Sequence, residues 1–168
     1  MSELKSSIPL LGRELKRRFW TPIGQVSFLT YFIVAIVGFG ALGIWVEMAR
    51  ATAAKEFEPD GLLTAIYTYF PAIAAGAALQ MQMDARKEHQ QYLRSFCVLS
   101  WFVIFLFALP FMNGSKTFFW GIVGIVASLL LWWVANGINP SFLDIDPKDS
   151  LGASPDGDLS GDTGGFNL

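Results

Sequence analysis

Four long stretches of this 168-residue chain contain no Asp, Glu, Lys, Arg or His. They cover residues 21–46, 62–83, 95–112 and 117–138, and the longest has 26 residues. A helix needs about 20 mostly apolar residues, with a range of roughly 17–25, to cross a bilayer core. Strands of a membrane barrel alternate apolar and polar residues, and these stretches do not alternate. The sequence therefore predicts an all-α membrane protein with four transmembrane helices.

Composition excludes the main soluble classes. Hydrophobic residues make up 53% of the chain and charged residues 15%, whereas soluble domains carry about 25% charged residues. A single Cys cannot form a disulfide within the chain, and 12 basic against 14 acidic residues give no basic surface for nucleic acid. The lipid bilayer is the predicted environment, and no nucleic-acid partner is expected.

The distribution of Lys and Arg predicts the orientation. Cytoplasmic loops of membrane proteins carry an excess of these residues. The N-terminal arm, the second loop and the C-terminal tail together hold nine Lys and Arg, and the two loops on the other side hold three. We therefore expect both termini in the cytoplasm, with the four-helix domain (residues 21–138) in a bacterial inner membrane. A cleaved signal is the alternative for the first stretch, but a signal core is only ~7–15 residues long.

Residues 1–20 predict a short helix at the membrane surface. Apolar residues recur there at spacings of three or four, at Leu4, Ile8, Leu11, Leu15 and Phe19. The basic residues of the arm would contact anionic headgroups. They are Lys5, Arg13, Lys16, Arg17 and Arg18. The alternative is that these charges only fix the topology.

Residues 139–168 differ in kind from the rest of the chain. They are rich in Gly, Ser, Pro and Asp, with six Asp against one Lys. Such a composition buries too little apolar surface to order a chain. We predict a disordered acidic cytoplasmic tail, and expect truncation after Pro140 to leave the bundle intact.

Ionisable residues inside a membrane span usually mark function, and the four stretches contain none. The single His89 lies in the second loop, and Cys97 has no second Cys to pair with. Ser100 and Ser128 have no charged residue near them in the sequence that could act as a base. The sequence therefore predicts no catalytic residue, no cofactor and no metal site.

Small residues supply the clearest packing signal. In the second stretch, Ala72 with Gly76 and Ala74 with Ala78 form pairs four residues apart. This spacing lets helix backbones approach closely in a membrane. Gly40 in the first stretch and Gly124 in the fourth are further candidates. We predict that these six residues serve helix packing or oligomerisation, with the second span as the centre of packing.

A second feature of the same stretch is polar. Tyr67, Thr68 and Tyr69 lie next to Pro71. Proline within a helix leaves the carbonyl four residues earlier without its donor. The carbonyl and the three hydroxyls together predict a hydrated polar seam.

These features favour a non-enzymatic integral membrane subunit that oligomerises or assembles with partner proteins. Pore formation or membrane disruption would suit such a subunit, since small four-span proteins occur as membrane-disrupting effectors, although this is an analogy of architecture. The alternative function is a small channel or carrier for a neutral or hydrophobic solute.

Overall fold

The computed structural model describes residues 8–53, 59–87, 91–115 and 117–144, and all regular structure within these ranges is helical. The α-helices are α1 (Ile8–Trp20), α2 (Val26–Tyr31), α3 (Leu42–Ala53), α4 (Pro59–Lys87), α5 (Gln91–Leu106), α6 (Leu109–Met112) and α7 (Phe118–Asn136). A π-helix (Phe32–Gly40) joins α2 to α3, and short 3-10 helices cover Thr21–Gly24 and Pro140–Phe142.

Three helical segments are long and apolar enough to cross a membrane. They are Pro59–Ala85, Gln91–Met112 and Phe118–Asn136, which correspond to the second, third and fourth predicted spans. A fourth crossing is added if the bent pair Ile8–Gly24 and Val26–Gly40 is taken as one span. The prediction of an all-α, membrane-spanning chain is confirmed at this level.

Helix α4 is the centre of the bundle. It packs against α3, α5 and α7. Its fully buried side chains recur every three or four residues, which places them on one face of the helix. They include Leu63, Phe70, Ala74, Ala77 and Met81. This arrangement confirms the prediction that the second span is the packing centre.

The first charge-free stretch does not form one uninterrupted α-helix, contrary to the sequence prediction. Pro22 and Gly24 lie in a 3-10 turn, and the axis bends by 91° between Ile8–Gly24 and Val26–Gly40. Proline lacks an N–H and glycine is a poor helix former, so both favour such a break. The π-helix, which follows α2, accepts hydrogen bonds from side chains of α3 and α4. The Tyr69 hydroxyl donates to the Ile36 carbonyl at 2.9 Å, and Trp45 Nε1 donates to the Val37 carbonyl at 2.9 Å.

The connection between the third and fourth spans is a tight turn. Gly114 has a φ of 81°, a left-handed conformation that glycine adopts without steric cost. The Ser115 N–H donates to the Pro110 carbonyl at 2.9 Å. Lys116 lies outside the described residues, and α7 begins directly after Thr117.

The first residues of the acidic tail are folded against the bundle. The Phe142 ring lies 4.4 Å from the Tyr31 ring and 6.0 Å from the Trp132 ring, centre to centre. The Asp144 carboxylate accepts a hydrogen bond from the Val26 N–H at 2.6 Å, and from both the N–H and the hydroxyl of Ser27. Hydrogen bonds from Ser27, above all from its hydroxyl, hold the pKa of Asp144 below its ordinary value. Residues 145–168, the rest of the predicted disordered tail, lie outside the described residues.

These contacts argue against the expectation that truncation after Pro140 leaves the bundle intact. That truncation removes both Phe142 and Asp144, and aromatic pairs such as those of Phe142 are worth about 0.5–1.5 kcal/mol each. We expect the truncated chain to unfold at a lower temperature than the full chain in detergent. Truncation after Asp144 is the matched control and should leave the unfolding temperature unchanged. Equal unfolding temperatures for both truncations would contradict this assignment.

Candidate functional site

A buried arginine lies where the ends of α1, α4 and α7 meet. Arg18 is 0% exposed, and its Nε donates to Glu14 Oε1 at 2.8 Å. Its Nη1 donates to the Ala135 carbonyl at 3.3 Å and lies 3.7 Å from Asp84 Oδ2. Its Nη2 has no hydrogen-bond partner among the described residues. We call Glu14, Arg18 and Asp84 the buried ion cluster.

The sequence of α1 accounts for this placement. Leu11, Leu15 and Arg18 are spaced by four and three residues, so they share one face of the helix. Both leucines pack against the hydrophobic core, and this packing turns Arg18 inward with them. Burial alone would raise the pKa of Glu14, but hydrogen bonds from Arg17 and Arg18 outweigh it and lower that pKa. Glu14 therefore remains a carboxylate at neutral pH.

The end of α1 approaches α7 very closely. Trp133 Nε1 donates to the Phe19 carbonyl at 2.9 Å. A Cβ atom on Gly137 would overlap the carbonyl oxygen of Arg18. Only glycine at position 137 leaves room for the backbone of α1, so Gly137 is needed for the position of Arg18.

The buried ion cluster is not among the features that the sequence predicts. Arg13, Lys16 and Arg17 are exposed, as expected of residues that contact headgroups, while Lys5 lies outside the described residues. The prediction that Arg18 contacts headgroups is wrong, because its side chain is fully buried. The signal was present in the sequence, since Arg18 falls on the same helical face as the apolar residues of the arm.

The small residues of α4 divide between two faces. Ala74 and Ala78 are buried at 0% and 7% exposure. Ala72 and Gly76 are exposed, and a Cβ on Gly76 would meet no other heavy atom within 4 Å. We call Ala72 and Gly76 the outward pair. Within one chain the position of a Cβ on Gly76 is open space, whereas Ala72 lines a space together with Gly40 and Ile44.

The two glycines of other helices lie at close contacts with α4. A Cβ on Gly124 in α7 would lie 2.8 Å from three atoms of the Phe70 ring. A Cβ on Gly40 would lie 3.5 Å from Cε2 of Tyr69. Gly124 therefore allows the Phe70 ring to approach α7, whereas a Cβ on Gly40 would make only ordinary van der Waals contact with Tyr69.

The residues of the predicted polar seam point to separate places. The Tyr67 hydroxyl donates to the Thr117 carbonyl at 2.8 Å, and the Tyr69 hydroxyl donates to the Ile36 carbonyl at 2.9 Å. Thr68 is exposed and donates to the Thr64 carbonyl of its own helix at 2.9 Å. Pro71 is half-buried within the continuous helix α4. Each hydroxyl thus satisfies a different backbone carbonyl, and the four residues do not meet in one seam.

The chemistry of the site is that of a charge-stabilised helix junction. Among the described residues, no three His, Cys, Asp or Glu side chains are grouped closely enough to hold a metal ion. Cys97 is fully buried and its Sγ donates to the Leu93 carbonyl at 2.9 Å. The contacts of Arg18 with Asp84 and with the Ala135 carbonyl join α1 to α4 and α7.

No protein-family model matches the chain, and no curated protein or solved structure matches it either.

Proposed function

We propose that this chain is a non-enzymatic integral membrane subunit that assembles with copies of itself through the outward pair, Ala72 and Gly76. The observation that carries the proposal is the exposure of this pair on the central helix of the bundle. The same helix uses Ala74 and Ala78 for packing within the chain.

The physical argument concerns what a lipid-facing position requires. Large apolar side chains occupy other exposed positions of the spans, such as Leu99, Phe102 and Ile122. Helices in a bilayer associate through close van der Waals packing, for which small residues four apart are suited. Small residues on an exposed face make fewer van der Waals contacts with lipid than large residues do. A second helix packed on that face supplies the missing contacts.

The proposal includes four crossings of the membrane. The segments from α2 through the π-helix to α3 form the first crossing, and α4, α5–α6 and α7 form the others. The 91° bend before α2 supports a position of α1 along the membrane surface. The excess of Lys and Arg on one side supports cytoplasmic termini in a bacterial inner membrane, with the buried ion cluster at the cytoplasmic end.

In this proposal, pore formation or membrane disruption is a property of the assembly. The hydroxyls of Tyr67, Thr68 and Tyr69 are each engaged by a separate carbonyl. A polar path through the membrane would therefore be built from several chains.

Substitution of Gly76 by leucine tests the proposal. The added side chain meets open space within the chain, so the thermal stability of one chain should be unchanged. It blocks close approach of a second helix, so mass measurement in nanodiscs should show single chains where the wild type shows oligomers. Gly76→Ala should retain the oligomer.

Val126→Leu is the matched control, because Val126 is 53% exposed on α7 and also gains a lipid-facing leucine. It should keep the wild-type oligomer. A monomeric wild type, or equal sizes for Gly76→Leu and Val126→Leu, would contradict the proposal. A monomer that passes a neutral solute across liposomes would favour the channel or carrier instead.

A further inference from the structure

An exposed basic face lies on α1, opposite to the side that contacts the bundle. Arg13 and Lys16 are exposed, and they form no ion pair within the described part of the chain. Arg17 is exposed as well, but it pairs with Glu14 at 2.8 Å. We call Arg13 and Lys16 the basic face. Their guanidinium and ammonium groups are open to an anionic ligand.

The geometry of α1 turns this basic face away from the membrane spans. Arg18, on the same helix, is buried against the last turns of α4 and α7. Each residue of a helix adds about 100° of rotation, so Arg13 and Lys16 are directed about 140° and 160° away from Arg18. Because α4 and α7 are both able to cross a membrane, a side chain that faces away from their ends faces the aqueous phase.

The C-terminal tail is anchored beside the end of α1. The Gly137 backbone lies against the carbonyl of Arg18. Further along the tail, the Asp144 carboxylate accepts a hydrogen bond from the Val26 N–H. The anchor is reciprocal, since the Asp144 N–H donates to Gln25 Oε1 at 2.8 Å. The residues that follow Asp144 therefore start next to α1.

These following residues are acidic and long enough to reach the basic face. They contain five Asp against one Lys, and the five are Asp146, Asp149, Asp156, Asp158 and Asp162. Measured along the backbone, Arg13 is no more than roughly 25 Å from Val26. The 12 residues from Asp144 to Asp156 span up to about 40 Å when extended, and a flexible chain of that length spans about 17–21 Å on average. Asp156 and the acidic residues after it can therefore meet the basic face.

We propose that residues 146–162, the acidic segment, dock on the basic face of the same chain and neutralise it. Opposite charge supplies the attraction, and tethering raises the effective concentration of such a segment to the millimolar range. Single exposed ion pairs are weak and are screened by salt, so several Asp act together and docking is reversible. The docked segment competes with every other anion for α1. The inference goes beyond self-assembly through the outward pair and does not depend on it.

Zero-length cross-linking of the full chain in phosphatidylcholine nanodiscs tests the proposal. A carbodiimide joins the Lys16 amine to an Asp carboxylate only when the two groups are in contact, and mass spectrometry identifies the joined peptides. We expect Lys16 to be joined to the acidic segment, at a rate that falls severalfold when salt is raised from about 0.05 M to about 0.5 M. Arg13→Gln should lower the rate, because Arg13 supports docking without being joined itself. Arg50→Gln, which removes an exposed arginine of α3, should leave the rate unchanged.

The length of the tether gives a second test. Insertion of about 20 Gly and Ser residues directly after Asp144 lengthens the connection to Asp156 from 12 to about 32 residues. Effective concentration falls roughly as the −3/2 power of tether length, so the cross-linking rate should fall about fourfold. The same insertion placed after Leu168 is the matched control and should leave the rate unchanged.

Four results would overturn the inference. Absence of a link from Lys16 to the acidic segment, or equal rates for Arg13→Gln and Arg50→Gln, would exclude docking on the basic face. Links between isotopically labelled and unlabelled chains in mixed nanodiscs would place the acidic segment on a neighbouring chain. Loss of the link when phosphatidylglycerol is added to the nanodiscs at constant salt would show that headgroups occupy the basic face. An unchanged rate after the insertion at Asp144 would show that the contact does not depend on the tether.

Discussion

Replacement of Arg18 by methionine is expected to destabilise the bundle by about 3–5 kcal/mol, the usual cost of removing one partner from a buried ion pair. The variant leaves the carboxylates of Glu14 and Asp84, whose side chains are 11% and 18% exposed, without their buried cation. It also removes the hydrogen bond to the Ala135 carbonyl. Chemical denaturation in detergent, followed by circular dichroism, measures the loss.

Arg17→Met is the matched control. Arg17 also contacts Glu14, at 2.8 Å, but its side chain is 54% exposed. Exposed ion pairs contribute about 0–1 kcal/mol, so this variant should lose far less than Arg18→Met. Equal losses for the two variants would show that burial of Arg18 has no energetic role.

The pH dependence of stability gives a second measurement of the same contact. The pKa of Glu14 is lowered in the folded chain, where hydrogen bonds from Arg17 and Arg18 outweigh the effect of burial. Its contribution to stability is therefore present above the unfolded-state pKa of ~4.3 and is lost as the pH falls through the lower folded-state value. This acid-dependent loss should become smaller in Arg18→Met.

The periodicity of the sequence predicted the central position of α4 but not the orientation of its small residues. The pair Ala72 and Gly76 and the pair Ala74 and Ala78 are offset by two residues, which is about 200° of rotation on a helix. One pair must face away from the other. Phe70 and Met81 lie on the buried side, and only their contacts with neighbouring helices decide which pair is inside.

The first span and the tail show a different limit of sequence reasoning. Apolarity gives the length of a span but does not distinguish an α-helix from a π-helix. Carbonyls of the π-helix here accept hydrogen bonds from Tyr69 and Trp45, which lie on later helices. The composition of residues 139–168 as a whole predicted disorder. That average concealed Asp144, which accepts a hydrogen bond at the start of α2, and Phe142, whose ring packs on Tyr31 at the end of α2.

The charge-free stretches do not reveal the buried ion cluster, because hydropathy places the water boundary at their ends. Arg18 precedes the first stretch and Asp84 directly follows the second. Both side chains are turned toward the bundle by their helices, and they meet only because α1 folds back onto α7. The 91° bend at residues 21–24 that brings this about is a tertiary feature that hydropathy does not report.

Substitution of Gly137 by alanine is expected to detach α1 from α7. The backbone at Gly137 has φ −63° and ψ −14°, a conformation open to any residue, so the effect is steric. The added Cβ would overlap the carbonyl oxygen of Arg18. Because this oxygen belongs to the backbone of α1, the overlap is relieved only if α1 moves away. That movement breaks the hydrogen bond from Trp133 to the Phe19 carbonyl and withdraws Arg18 from the Ala135 carbonyl.

Overpacking of a close contact costs about 1–3 kcal/mol, occasionally more, and the loss of two further hydrogen bonds places Gly137→Ala at the upper end. Denaturation in detergent should show this loss, and limited proteolysis should cleave between α1 and α2 sooner than in the wild type. Gly12→Ala is the control, since its Cβ meets no atom within 4 Å and alanine favours the helix by about 1 kcal/mol over glycine. That variant should be at least as stable as the wild type. Equal stability and equal protease resistance of Gly137→Ala and Gly12→Ala would contradict this assignment. They would show that the backbone accommodates a Cβ at residue 137 without cost, so the close approach of α1 to α7 would not hold Arg18 in the bundle.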